Sequence, residues 1–433
     1  MRSLLKKIPP LVWAVRLGRR LAHRLGPARW RRTWQWRRSI RAASQRRRRE
    51  TRLTVGVDIA AFWEPLTGIG WYLYEVLQAL ASRDDLRLRL YGAALPRGPE
   101  VPPPEVEIPT GPALEWVTYE VPDDLLLPRS LLFRWLRRRE ARLLAADRNR
   151  VLFGPNFLLA PKFERAPGAR VVTVHDLSLH RLPWAVRPDT RNALAASLAL
   201  TLRQAQRVIT PSHAVRQDIA DAGWFDPLRV EAIHHGLGHR ASATRRPAGT
   251  PPRYLLSVGT LEPRKNLSTL LAACRQGTLP LVLAGRFGWG TEELRPQVEA
   301  GVEEGWLHHF GYVEEGELAA LYEGATAVAL PSLYEGFGLP AVEAMAAGKA
   351  LLLSDIPVFR EVAADAARYL GTEDVAAWRQ AIQELVQNEA LRRDLAERAL
   401  RRSREFTWQR SAEEHARVFA VTAEAQRPKD AAP

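Results

Sequence analysis

The chain has 433 residues, 46% of them hydrophobic, which is enough for two or three domains that each bury a core. One cysteine, Cys274, excludes an intramolecular disulfide framework and fits a reducing compartment. The net charge of +15 is unevenly placed: residues 1–50 hold 17 Lys and Arg against one acid, leaving 46 bases and 47 acids elsewhere, so the body of the chain is close to neutral.

Residues 1–50 form a basic arm. Leu11, Val15, Gly18, Ala22 and Leu25 recur at helical spacing beside Arg16, Arg20 and Arg24, with Trp13, Trp30, Trp34 and Trp36 among the arginines. Tryptophan favours the bilayer interface and arginine the anionic headgroups, so an anionic membrane surface is the expected partner. Nucleic acid is a weaker competitor, and a tail without function is the third reading. The apolar run Leu11-Val12-Trp13-Ala14-Val15 is shorter than a signal-peptide core and far below the ~20 residues that cross a bilayer. The expected location is cytoplasmic, peripheral on the inner face of the membrane.

From Leu53 onward short apolar runs alternate with helical patterns. Leu53-Thr54-Val55-Gly56-Val57-Asp58 reads as a strand, followed by Thr67-Gly68-Ile69-Gly70 and an amphipathic helix through Trp71, Tyr74, Leu77 and Leu80. Proline-rich residues 96–112 read as an irregular loop. Strands follow at 151–153, 170–174 and 207–210, with Ser212 as the cap of a helix over 213–220. Residues 246–252 are a linker, after which strands recur at 254–258, 281–284, 307–310, 327–330 and 350–353. Such alternation predicts parallel sheets with crossover helices: two Rossmann-like, doubly wound domains, 51–247 and 253–405, facing each other across a cleft. Residues 406–427 form a last helical segment. Cys274 falls in the apolar pattern Leu270, Leu271, Ala273 and reads as an inert core thiol.

In parallel sheets ligands bind beyond the carboxyl ends of the strands, and the chemistry-bearing residues fall there. Arg264 and Lys265 follow the strand at 254–258; a forked guanidinium beside a compact ammonium suits a diphosphate. Pro331-Ser332-Leu333-Tyr334-Glu335-Gly336-Phe337-Gly338-Leu339-Pro340 leads into a helix that starts near Leu339, because Pro340 has a preset φ and no amide hydrogen to lose. Gly348 stops that helix. The free amides of Gly336, Phe337 and Gly338 and of the helix start favour a phosphate. Glu343, one turn in, has the acceptors for hydroxyls on whatever carries it, and Glu335 stands outside the helix. His175 and Asp176 end the strand at 171–174. Gly68 and Gly70 let backbone approach a ligand, though a lone Gly-x-Gly is weak evidence. Neither His308-His309 nor His234-His235 has a coherent set of partner ligands, so no metal site is expected.

These motifs, in this order, resemble the retaining glycosyltransferases of family 4, with the Glu335-to-Glu343 spacing as its Glu-x7-Glu signature and residues 254–266 as its phosphate-binding strand and turn. The resemblance covers roughly residues 53–420 and implies the GT-B architecture. It also implies a nucleotide diphosphate sugar as donor, no cofactor or metal, and a saccharide or lipid-linked saccharide as acceptor. It casts Glu343 on the donor ribose, Glu335 by the transferred sugar and His175 with Asp176 in the active site. Gly68, Gly70 and the loop 336–338 would lie on the donor, and residues 406–427 would cross back to the first domain. Thr260 stands where many members carry Arg, so Arg264 takes more of the phosphate load. Residues 173–180 and 261–266 look most like bacterial mannosyltransferases of surface polysaccharide assembly, which favours mannose. The alternatives are a nucleotide-sugar epimerase of the same fold and a non-catalytic nucleic-acid or membrane binder acting through the arm.

Overall fold

The computed structural model describes residues 50–426 except 64–67, 92–108, 118–143, 161–162, 164–165, 238–241 and 278. Residues 1–49 of the basic arm, Thr67, most of the 96–112 loop and residue 427 therefore lie outside the described residues.

The first sheet has seven strands: β1 (Leu53–Asp58), β2 (Leu86–Tyr91), β3 (Leu114–Trp116), β4 (Val151–Gly154), β5 (Ala169–Thr173), β6 (Arg207–Thr210) and β7 (Val230–Ala232). The second has six: β8 (Leu255–Val258), β9 (Leu281–Ala284), β10 (Leu307–His309), β11 (Ala327–Leu330), β12 (Ala350–Ser354) and β13 (Arg368–Leu370). Their orders are β3-β2-β1-β4-β5-β6-β7 and β10-β9-β8-β11-β12-β13, with parallel pairing throughout. This is the GT-B plan. Each order reverses once, between β1 and β4 and between β8 and β11, and such reversals open the crevices where ligands bind.

The helices longer than one turn are α1 (Gly68–Leu80), α2 (Pro188–Gln204), α3 (His213–Asp221), α4 (Leu267–Cys274), α5 (Leu294–Glu303), α6 (Glu315–Gly324), α7 (Leu339–Ala346), α8 (Pro357–Ala363), α9 (Val375–Gln387), α10 (Glu389–Ser403) and α11 (Trp408–Ala425). Strands β4, β9, β11 and β12 are buried along their whole length, because helices cover both faces of their sheets. That is why they read as unbroken apolar runs. Helix α1 buries Tyr72, Leu73, Val76, Leu77 and Leu80, while Trp71 and Tyr74 stay half-exposed. The predicted apolar stripe is thus rotated toward Tyr72 and Leu73.

The last described helix packs on the sheet that holds the first described strand. In α11, Trp408, Ala412, Ala416, Val418 and Phe419 join one core with Tyr72, Val76, Val57 and Phe153 of the first sheet and α1. Among the described residues, no helix is long and apolar enough to cross a membrane.

Candidate functional site

The crevice between β8 and β11 is built by two interlaced loops. After β8 the chain runs through Gly259 into the short turn Pro263–Lys265, where proline occupies the first position with its φ preset. Asn266 closes the turn at φ 52°, a left-handed conformation that asparagine tolerates better than most residues. Its side-chain amide donates to the carbonyls of Pro331 (3.1 Å) and Thr372 (2.7 Å), and the Leu333 amide donates to the Arg264 carbonyl at 2.8 Å. The cationic turn is thereby fixed against the loop that follows β11. A small recess opens here, lined by Gly259, Lys265, Pro331 and Ser332 among others.

Glu335 lies at the junction of the two loops. Its Oε1 accepts from Lys265 Nζ at 2.6 Å and from Ser332 Oγ at 2.7 Å, and its Oε2 accepts from Arg264 Nη1 at 2.9 Å. Burial alone would raise its pKa, but Lys265 and Arg264 outweigh that and hold it down at about 2. Glu335 is therefore a fixed anion at neutral pH and has no proton to give. Arg264 is also paired with Glu262 at 2.7 Å. Its burial is outweighed by Glu335, Glu262 and Asp176, which keep the guanidinium charged. The influence of Asp176 spans the two halves of the molecule.

Three further contacts cross the same gap. A β-carbon on Gly336 would sit 2.0 Å from the His175 carbonyl oxygen, so only glycine permits this approach. Ser212 Oγ donates to the Gly336 carbonyl at 2.7 Å. The Tyr334 hydroxyl accepts from the Leu177 amide at 2.9 Å and donates to Asp218 Oδ2 at 2.8 Å. Ser212 also accepts from the Val215 amide as the cap of α3. Its position at the site loop was not foreseen, because capping already accounts for a serine there.

His175 is half-buried, and its Nε2–H donates to the Pro155 carbonyl at 2.7 Å, which leaves Nδ1 as the acceptor. Burial lowers its pKa, with partial opposition from that carbonyl and Asp176. Asp176 accepts from the Ser178 amide (2.9 Å) and hydroxyl (2.7 Å) and makes no hydrogen bond to His175 in this arrangement. Gly68 and Gly70 fall in the first turn of α1, and Tyr72, two residues on, packs edge-on to the His175 ring with centroids 4.8 Å apart.

The remaining predicted residues disperse around this centre. Gly338, at φ 86°, starts α7 with the Phe359 ring beneath it. Glu343 stands one turn along α7, half-buried, and accepts from the Tyr322 hydroxyl at 2.7 Å; it does not line the recess at Lys265. The Phe337 ring is buried against His234, His235 and Phe406, so it contributes packing and leaves only its backbone to the loop. Thr260 is exposed at the rim.

His234 acquires partners that lie far away in sequence. His213, His234 and Glu361 come together, with their ligand atoms within 4.8 Å of one another. Both Glu361 oxygens are already engaged: they accept from the amides of His213 (2.7 Å) and Ala214 (2.9 Å), and Oε1 meets His234 Nε2 at 2.6 Å. The trio caps α3 from α8 and ties the two halves together. Behind it, Tyr72 donates to His415 Nε2 at 2.7 Å, since His415 Nδ1–H is committed to the Ser411 carbonyl.

Residues 66–239 match the model for Glycosyltransferase Family 4, and residues 242–402 match that for Glycosyl transferases group 1. The chain is 31% identical over 366 residues to O-antigen chain mannosyltransferase B of Escherichia coli, covering 80% of this chain and 93% of that one. The chain belongs to glycosyltransferase family 4. This transferase is also 27% identical over 244 residues to O-antigen chain mannosyltransferase RfbU of Salmonella typhimurium, covering 55% and 67% of the two chains. Its fold superposes on Anabaena HepE in complex with UDP-glucose with a TM-score of 0.63 at 17% identity, over 85% of this chain and 99% of that one.

Proposed function

We propose that this family 4 transferase moves mannose, with retention, from GDP-mannose to a hydroxyl of a growing or lipid-linked surface polysaccharide of the O-antigen type. The mannosyl and O-antigen assignments follow the names of its relatives. The observation that carries the chemistry is the Lys265–Glu335–Arg264 cluster at the β8/β11 crevice, facing His175 and Asp176. In this reading residues 51–247 receive the acceptor and residues 253–405 hold the donor. Residues 406–427 tie the donor half back to the acceptor half, and residues 1–50 rest on the anionic membrane that presents the acceptor.

The steps follow from the groups present. Lys265 has N–H donors beyond the one given to Glu335, and Arg264 has Nη2 beyond its two carboxylates, so both can meet the charge that builds on the departing diphosphate. The loop amides at 336–338 add further donors. Glu335, ionised at any physiological pH, lies where a carboxylate stabilises positive charge at the anomeric carbon. The acceptor hydroxyl attacks from the face the diphosphate leaves, and its proton passes to the leaving phosphate oxygen. His175 orients a sugar hydroxyl, and Glu343 accepts from the ribose. Positioning and electrostatics supply most of the acceleration.

The test is mannosyl transfer and donor hydrolysis by Lys265→Ala, Glu335→Ala and Glu343→Ala. Each should lose more than about tenfold in rate, or about 1.4 kcal/mol, while circular dichroism reports a folded chain. Unaltered turnover in all three would remove this site. Deleting residues 1–50 should abolish vesicle association and leave GDP-mannose affinity intact.

A further inference from the structure

Glu335 is flanked in sequence by two residues whose strongest contacts lie in the opposite half of the molecule. Tyr334 precedes it, and its hydroxyl is held between the Leu177 amide at 2.9 Å and Asp218 Oδ2 at 2.8 Å. Gly336 follows it; its carbonyl accepts from Ser212 Oγ at 2.7 Å and its Cα lies against the His175 carbonyl. The loop carrying the candidate anion is thus indexed against the first sheet on both sides.

The Tyr334 end of this clasp is reinforced. Asp218 is buried on α3, and its other oxygen accepts from Arg181 Nε at 2.7 Å, while Arg181 also reaches Asp221 at 2.8 Å. Burial and the neighbouring Asp218 and Asp176 hold the tyrosine proton in place, so the hydroxyl stays a donor throughout the working range of pH. Leu177 directly follows His175 and Asp176, which makes one hydroxyl the link between the two halves of the candidate site. The Tyr334 carbonyl also faces Arg264 Nη1 at 3.4 Å. A tyrosine that only filled space here would not require its oxygen to meet a donor and a charged acceptor from the far side.

We propose that Tyr334 is a positioning residue: through Asp218 and the Leu177 amide it couples closure of the cleft to the placement of Glu335, and hence to transfer, without itself touching the donor. Donor affinity rests chiefly on the second half, where Arg264, Lys265 and Glu343 reside. Transfer needs both halves in register, and the clasp sets that register.

The kinetic arm of the test rests on the transferase reading; the scattering arm does not. Tyr334→Phe keeps the ring and removes the hydroxyl, and Asp218→Asn removes the charged acceptor. A hydrogen bond to a charged group of this kind shifts an equilibrium by about tenfold or more. The expected results for Tyr334→Phe are a GDP-mannose Kd within about twofold of wild type, a kcat for transfer lower by about tenfold, and more donor hydrolysis per transfer. The double variant Tyr334→Phe/Asp218→Asn should be no slower than the worse single variant. In small-angle scattering, Tyr334→Phe should show a larger radius of gyration than wild type, with or without added GDP. Unchanged kcat, additive losses in the double variant, or a rise in Kd with kcat preserved would overturn the proposal. So would scattering curves identical to wild type, which read the clasp even if no donor is turned over by any form of the protein. A wild type that transfers from no donor while Tyr334→Phe still expands would refute the transferase reading and keep the clasp.

Discussion

Replacing Glu335 by glutamine should destabilise the empty transferase and tighten its grip on a bare diphosphate. The carboxyl is buried and its pKa is held down from 4.5 to about 2; at 1.36 kcal/mol per unit this amounts to about 3 kcal/mol from ionisation in its site. Because the folded value is the lower one, the contribution is complete above the unfolded pKa and fades as pH falls toward the folded one. The wild type should exceed Glu335→Gln by about 3 kcal/mol at pH 7 and by only about 1.4 kcal/mol at pH 3. Urea unfolding of both proteins at those two pH values measures the gap. Meanwhile Lys265 and Arg264, released from the carboxylate 2.6 and 2.9 Å away, are free for phosphate oxygens. Calorimetry with GDP should therefore show tighter binding to the variant, alongside a collapse of transfer. Equal stability at pH 7, a gap that does not narrow in acid, or weaker GDP binding would refute the reasoning.

Gly336→Ala should cut transfer by about a hundredfold, since its new methyl must push the loop more than an ångström from the His175 carbonyl; near-wild-type kcat would show that the two loops part freely. His415, whose pKa burial pushes down to about 4, binds its proton first in the unfolded chain. Its share of stability, about 3 kcal/mol, is present above pH 6.5 and lost toward pH 4, and His415→Gln should flatten that part of the pH–stability curve in denaturant titrations. Cys274 is buried in α4 with its thiol pushed up to about 12, so a thiol-reactive dye should leave the native protein unlabelled and label it fully in denaturant.

The long, doubly covered strands were legible because burial on both faces leaves an apolar run such as Leu281-Val282-Leu283-Ala284 with no polar alternation to obscure it. Strand β2 was not, since Leu86-Arg87-Leu88-Arg89-Leu90-Tyr91 carries two arginines, one of them only 1% exposed and satisfied by Glu115, Asn149 and the Asp147 carbonyl. Strands β3, β7 and β13 have three residues each with a charged one among them, Glu115, Glu231 and Arg368, so no apolar run marks them. Within the site, Arg264, Lys265 and Glu335 could be grouped from motif and strand position. What escaped the sequence are the pairings made by docking one half on the other. Tyr334 meets Asp218 116 residues away, and Glu361 meets His234 127 residues away. Phe337 enters the sequence reading through its backbone amide alone; what the sequence does not show is that the bulk and apolarity of its ring draw the side chain into the packed junction with Phe406.

The return of α11 to the first sheet has a consequence for biogenesis. Tyr72 and Val76 share their hydrophobic cluster with Trp408 and Phe419, which leave the ribosome more than three hundred codons later. During synthesis the leading lobe must therefore wait with an apolar flank uncovered while the trailing lobe folds. A nascent chain halted before α11 should be the species most in need of a chaperone.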